Sequence, residues 1–182
     1  RICLVGSEMC IRDRIQVGLL KLLAGTPMHH HDAEFAMVYR QQPPYDLLQN
    51  RDLSFATLMH LRHFARLWDR VVNRGLFPHT APLLWAEGSA FERFSAFTER
   101  VVSETGQSHG LGRVRLTELL FAHLTGALGL PTEDVAAALA ADHGRTNRRY
   151  LPGFLREHLD ALPPKSGGKR KSWRRQDRHR EG

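Results

Sequence analysis

The chain has 182 residues, 42% of them hydrophobic, with 26 Lys+Arg against 19 Asp+Glu and a formal net charge of +7. That length suits one domain with little to spare, and the apolar fraction is enough for a core, which excludes a wholly disordered chain. Two cysteines exclude a disulfide framework, a four-cysteine zinc site and a complete iron–sulfur motif, and no apolar run reaches membrane-spanning length.

Ile2–Gly6 has the pattern of a buried strand entering a Gly-Ser turn, but no Gly-x-Gly-x-x-Gly follows, so a nucleotide-binding βα unit lacks support. Leu4-Val5-Gly6-Ser7-Glu8-Met9-Cys10-Ile11-Arg12-Asp13 resembles, residue for residue, the conceptual translation of a transposase adapter used in sequencing libraries. The expectation is that residues 1–14 are such an artefact, that the natural chain is truncated at this end, and that Cys3 and Cys10 carry no biology. No charged-then-apolar leader pattern opens the chain, so secretion is not expected.

Ile15–Leu23 is apolar except for Gln16, Gly18 and Lys21, and Ala24-Gly25-Thr26-Pro27 stops it. Nine residues ended in this way suit a buried parallel strand about as well as a short helix. His29-His30-His31-Asp32 then lies in a loop or a single turn. Phe35–Arg40 and Tyr45–Gln49 read as short extended pieces flanking Pro43-Pro44, a pair that forbids helix.

Helical periodicity begins at Ser54. Phe55, Leu58, Leu61, Phe64, Ala65, Trp68, Val71 and Val72 recur at spacings of three and four, with Ser54 placed as N-cap and Gly75 as C-cap. Thr80–Glu87 is a weaker, shorter helix because of Pro82. Ser89-Ala90-Phe91-Glu92 is a capping box, followed by the stripe Phe91, Phe94, Phe97, Val101 and Val102 and ended by Gly106. Leu111–Leu128 carries Leu116, Leu119, Leu120, Leu124 and Leu128 and closes at Gly129. Thr132 is placed as the cap of an alanine-rich helix ending at Gly144, and a last helix spans about Pro152–Leu162. The prediction is a mainly α fold: a domain of about five helices at residues 29–162, one orphan strand at residues 15–28 and two short extended segments.

Residues 163–182 hold eight basic and two acidic residues, net +6, which leaves +1 for the rest of the chain. Their Pro, Ser, Gly and charge content predicts a disordered basic tail, read first as a solvated tail and only second as a nucleic-acid arm.

Few residues point to chemistry. Adjacent side chains in His29–His31 diverge, so solvated histidines are expected in preference to a metal site. His60 and His63 are three apart but belong to no His-Glu-x-x-His motif, and a surface helix face is the expected reading. Glu92, Glu99, Glu104 and Glu118 are scattered, with nothing marking an acid–base pair. The Phe91, Phe94, Phe97 stripe reads as core. Arg145–Arg149 reads as a solvated loop, with an anion site as the alternative. Neither a Gly-x-Ser-x-Gly elbow nor a Walker loop is present.

Several longer stretches carry a family resemblance. Gln16-Val17-Gly18-Leu19-Leu20-Lys21-Leu22-Leu23-Ala24-Gly25-Thr26-Pro27 resembles the closing strand of the partial barrel in cobalamin-binding radical SAM proteins. Gln42-Pro43-Pro44-Tyr45-Asp46-Leu47-Leu48 and Leu53-Ser54-Phe55-Ala56-Thr57-Leu58 resemble the junction after it. Arg62-His63-Phe64-Ala65-Arg66-Leu67-Trp68-Asp69, Asn73-Arg74-Gly75-Leu76-Phe77, Phe91-Glu92-Arg93-Phe94 and Thr105-Gly106-Gln107-Ser108-His109-Gly110 resemble the helical carboxyl-terminal domain of unknown function in one branch of that family. The likeness runs from about Ile15 to Leu124 and loosens beyond.

The resemblance implies a larger parent enzyme with an amino-terminal cobalamin domain and a barrel. The barrel would bind a [4Fe-4S] cluster through Cys-x-x-x-Cys-x-x-Cys and cleave S-adenosylmethionine reductively. That motif is missing from this chain, which by itself is therefore expected to be inactive. The implied partners are the missing barrel and cobalamin domain of the same protein; neither a membrane nor nucleic acid is expected. The implied compartment is cytoplasmic. By the same resemblance the cofactor-binding candidates are Gln16, Lys21, Gly25 and Thr26, since carboxyl ends of barrel strands face the active site. Gln16 and Lys21 have opposite parity along a strand, so one of them is structural unless a bulge intervenes. The alternative is a non-enzymatic helical binding module whose basic tail contacts nucleic acid or an acidic partner.

Overall fold

A computed structural model describes residues 14–146 and 151–160. Its elements in chain order are a 3-10 turn at Pro27–His31, α1 (Asp32–Phe35), β1 (Val38–Tyr39), β2 (Leu47–Gln49), α2 (Phe55–Trp68), a 3-10 turn at Ala81–Trp85, α3 (Ala90–Thr105), α4 (Arg113–Ala122), α5 (Thr132–Thr146) and α6 (Gly153–Asp160). The fold is mainly helical, as the periodicity predicts. The helix beyond the expected five is α1, a single turn immediately after the histidine run.

Local signals account for most helix starts. Ser54 is extended and accepts a hydrogen bond from the Thr57 amide, and Ser89 does the same for Glu92, each satisfying a first-turn N–H that has no helical partner. Gly106 closes α3 at φ 71°, a left-handed conformation that costs glycine little. Both α2 and α4 continue into π turns, at Asp69–Asn73 and His123–Ala127. The Arg74 amide donates to Asp69 and the Leu128 amide to His123, each five residues back.

The sequence reading differs from the structure at α5. Thr132 is the first helical residue rather than the cap before it, and the helix runs through Gly144 to Thr146. Glycine costs about 1 kcal/mol inside a helix. Here it follows Asp142 and His143, both buried and both held by other elements, and those contacts outweigh it.

The main core lies between α2, α3, α4, α5 and α6. Leu67, Val71, Phe77, Phe94, Phe97, Val101, Leu116, Leu120, Leu124, Val135, Leu139 and Leu155 are completely buried in it. Phe64 and Trp68 stack with ring centroids 5.7 Å apart, and Phe94 meets both rings edge-on at 5.0 Å. Such pairs add about 0.5–1.5 kcal/mol beyond burial. The stripe read from the sequence is core at Phe94, Phe97 and Val101, while Phe91 stays half-exposed against Phe64.

A smaller cluster forms beside the amino end of α2. Tyr39, Leu47 and Leu58 are buried there, with Leu19, Leu22, Met37, Leu53 and Leu61 packed against them. β1 and β2 pair antiparallel, with Tyr39 opposite Leu47.

The orphan segment pairs at a single point only. Ile15–Leu23 is extended but makes no regular strand, and its one bridge is antiparallel, from Lys21 to Asp46. The Leu47 amide donates to the Leu20 carbonyl and the Leu22 amide to the Tyr45 carbonyl. The Arg40 amide donates to the Asp46 carbonyl, so residues 45–47 lie between β1 and the segment. Leu19 and Leu22 turn inward, which leaves Ile15, Leu20 and Leu23 exposed. The strand-like Ile2–Gly6, both cysteines and the basic tail lie outside the described residues, as do Asn147–Arg149 of the arginine-rich loop.

Candidate functional site

The four residues placed at the implied cofactor site fall on the segment before Pro27 and on the turn that ends it. Gln16 is exposed near the start of the extended segment. Lys21 reaches toward Asp46, Nζ to Oδ1 4.0 Å, with its side chain half-exposed. Gly25 forms a turn at φ 79°, and Thr26 closes that turn by donating from Oγ1 to the Leu23 carbonyl at 2.7 Å. Gly25 and Thr26 thus share one turn, separated along the chain from Gln16.

The histidine run is local in its contacts. His29 Nδ1 is 3.1 Å from an Asp32 carboxylate oxygen, and the His31 ring meets Phe35 edge-on. Among the described residues no group of three His, Cys, Asp or Glu side chains is placed to hold a metal ion. No helix among them is long and apolar enough to cross a membrane.

A cluster of chemically capable side chains lies at the carboxyl end of α2. Arg66, Arg70 and Arg74 recur every fourth residue and share one side of α2 and its π turn. Opposite them is the loop Ser108-His109-Gly110, and Val17 of the extended segment forms one rim. These residues, with Ala65 and Asp69, line an open groove of about 390 Å³. The segment is held there by the Asn73 side-chain amide, which donates to the Ile15 carbonyl at 3.0 Å.

Two contacts fix the loop against the helix. His63 Nδ1 is 2.7 Å from the Ser108 hydroxyl, and Arg70 donates from Nη2 to the Leu111 carbonyl. Ser108 is completely buried, so the His63–Ser108 pair is a pin and not an accessible nucleophile. Burial lowers the His63 pKa, and Arg66, His60, Arg62 and His109 push it further the same way, which favours the neutral imidazole. Arg74 is paired with Asp69 at 2.8 Å. Arg66 is exposed and makes no hydrogen bond or ion pair among the described residues, and the buried Nε of Arg70 has no acceptor there. The groove can therefore hold an anion, and it shows no acid–base pair of its own.

Sequence reasoning placed His63 on a surface face; the structure turns it into the loop contact. The arginine spacing was visible in the sequence, but its partner loop, some forty residues along the chain, was not.

The family of the chain can be stated on a direct match. A family model described as "Protein of unknown function (DUF4080)" matches residues 33–179. The chain belongs to that family. No curated protein and no solved structure matches it. The DUF4080 match takes in every described helix from α2 to α6, the β1–β2 pair and the groove apart from Val17.

Proposed function

We propose that this DUF4080 chain is the carboxyl-terminal portion of a cobalamin-dependent radical SAM enzyme of unknown substrate, with Ile15–Leu23 as the closing strand of its barrel. The observation that carries this reading is the segment itself. Its residues resemble that strand, it is extended, and it keeps Ile15, Leu20 and Leu23 exposed at 59%, 39% and 57%. Leu20 differs in parity from Ile15 and Leu23, so apolar side chains are exposed on both faces, as suits a strand packed between further elements. The helical domain would then cover one side of the barrel and help to shape the substrate pocket.

The described residues do not fit the cluster that such an enzyme uses. The only cysteines, Cys3 and Cys10, are not spaced as Cys-x-x-x-Cys-x-x-Cys, and no three ligating side chains converge among the described residues. The cluster would belong to the barrel, and no radical step is assigned to this chain. Gln16, Lys21, Gly25 and Thr26 remain the proposed contacts to S-adenosylmethionine, with the Gly25–Thr26 turn offering backbone approach at the strand's carboxyl end.

The test begins with genomic DNA upstream of the codon for Ile15. The expected result is an in-frame Cys-x-x-x-Cys-x-x-Cys and a cobalamin-domain sequence. The corresponding long protein, purified without oxygen, should show iron–sulfur absorbance and release 5′-deoxyadenosine from S-adenosylmethionine. An intact upstream reading frame without that cysteine motif would overturn the assignment.

A further inference from the structure

We propose that the groove between the end of α2 and the Ser108–Gly110 loop binds the phosphate group of a small phosphorylated ligand, with Arg66 and Arg70 as its charge partners. Its lining residues all belong to this chain. Its lining holds three guanidinium groups and one carboxylate. Asp69 is occupied by Arg74, which leaves two cationic charges uncompensated, the charge of one phosphate monoester near neutral pH.

The two guanidinium groups differ in how they are held. Arg70 is anchored through Nη2 on the Leu111 carbonyl, so its plane is oriented before any ligand arrives, while its buried Nε lacks an acceptor. Arg66 is exposed and free of ion pairs among the described residues, one helical turn away on the same side. An anchored donor beside an unpaired one suits a tetrahedral oxyanion, since planar guanidinium forks match phosphate oxygens in pairs. His109 adds a further polar group to the lining, and Asp69 is the one acidic residue among the groove-lining side chains. A groove volume of about 390 Å³ falls within the range of about 300–1,000 Å³ usual for small-ligand pockets.

The test uses the full chain and follows the His63 and His109 imidazole resonances by NMR during titration with inorganic phosphate and with AMP. Sodium chloride at matched ionic strength is the control. Saturable shifts at both histidines are expected, with a rise in the titration midpoint of His63, because a bound dianion favours the imidazolium. Arg66→Gln should weaken binding by about tenfold or more, the loss of a charge-assisted hydrogen bond. Arg115→Gln, whose arginine sits on α4 beside Glu118 and Glu104, should leave it unchanged. The proposal is overturned if chloride reproduces the shifts or if both variants weaken binding equally. It is also overturned if a short oligonucleotide binds far more tightly than AMP with the same dependence on Arg66, which would make the occupant nucleic acid.

Discussion

At the scale of single residues, His123 carries the sharpest consequence. It lies in the π turn after α4, 3% exposed, with Phe97 edge-on at 5.3 Å, and neither ring nitrogen has a hydrogen-bond partner. Burial, then the nearby Arg100 and Arg93, push its pKa down to about 4, opposed by Glu104. The ordinary value is about 6.5, so between the two the unfolded chain binds the extra proton. Stability is therefore whole above pH 6.5 and falls as pH drops toward 4. By pH 5 the loss from this group is about 2 kcal/mol, and His63 and His143, also shifted down chiefly by burial, act in the same direction. Urea unfolding at pH 7.5 and pH 5 measures it. In His123→Leu the acid loss should shrink by about 2 kcal/mol, with stability at pH 7.5 unchanged or higher, because no hydrogen bond is given up. An unchanged pH slope would remove His123 from the account. The residue was legible in the sequence only as a register position: it falls seven residues after Leu116 and four after Leu119, on the apolar face, but nothing in that spacing tells a buried imidazole from an exposed one.

At the scale of elements, a carboxylate on α5 organises a turn far from it in sequence. Asp142 accepts from the His79 amide at 2.9 Å, the Thr80 amide at 3.0 Å and the Thr80 hydroxyl at 2.6 Å, so it satisfies the donors just before the Ala81–Trp85 turn. Arg113 at the start of α4 donates to the carbonyls of Asp142 and Leu76, and His143 meets the Thr117 hydroxyl at 2.9 Å. Three elements thus meet at the end of α5. Asp142→Ala leaves three donors without an acceptor, two of them on the buried Thr80, and should cost about 3–5 kcal/mol. Asp142→Asn keeps one acceptor oxygen and should cost about 1–3 kcal/mol. Denaturant midpoints rank the two; equal losses would mean that the carboxylate is not the link. Caps such as Ser54, Ser89 and Gly106 were readable because capping is a contact between neighbours in the chain. The end of α5 was misread because its partners lie 26 to 63 residues away in the chain, and the candidate groove escaped for the same reason.

At the scale of the molecule, the region of the smaller apolar cluster is tied to α2 through charge. Asp46, 9% exposed at its side chain, accepts from Arg62 on α2 at 2.7 Å, and Lys21 stands 4.0 Å away on its other oxygen. The same residue forms the backbone bridge to Lys21, so the extended segment, the β1–β2 pair and α2 all meet at Asp46. Composition left Ile15–Leu23 open between a buried strand and a short helix, and only the family resemblance implied a barrel. Its observed neighbours were not legible, because a short apolar run carries no record of which edge it will meet. Removing the Asp46 carboxylate leaves Arg62, 16% exposed, without its close partner, and a broken buried pair costs about 3–5 kcal/mol. The main core does not depend on this contact, since Phe94, Phe97, Leu116, Leu120 and Leu139 are buried among α3, α4 and α5. Asp46→Ala should therefore loosen one region rather than the whole. Amide hydrogen exchange should speed up at Leu22, Arg40, Leu47 and the first turns of α2, with the centres of α3 and α4 still protected. Uniform acceleration across all helices would show instead that the two clusters unfold as one unit.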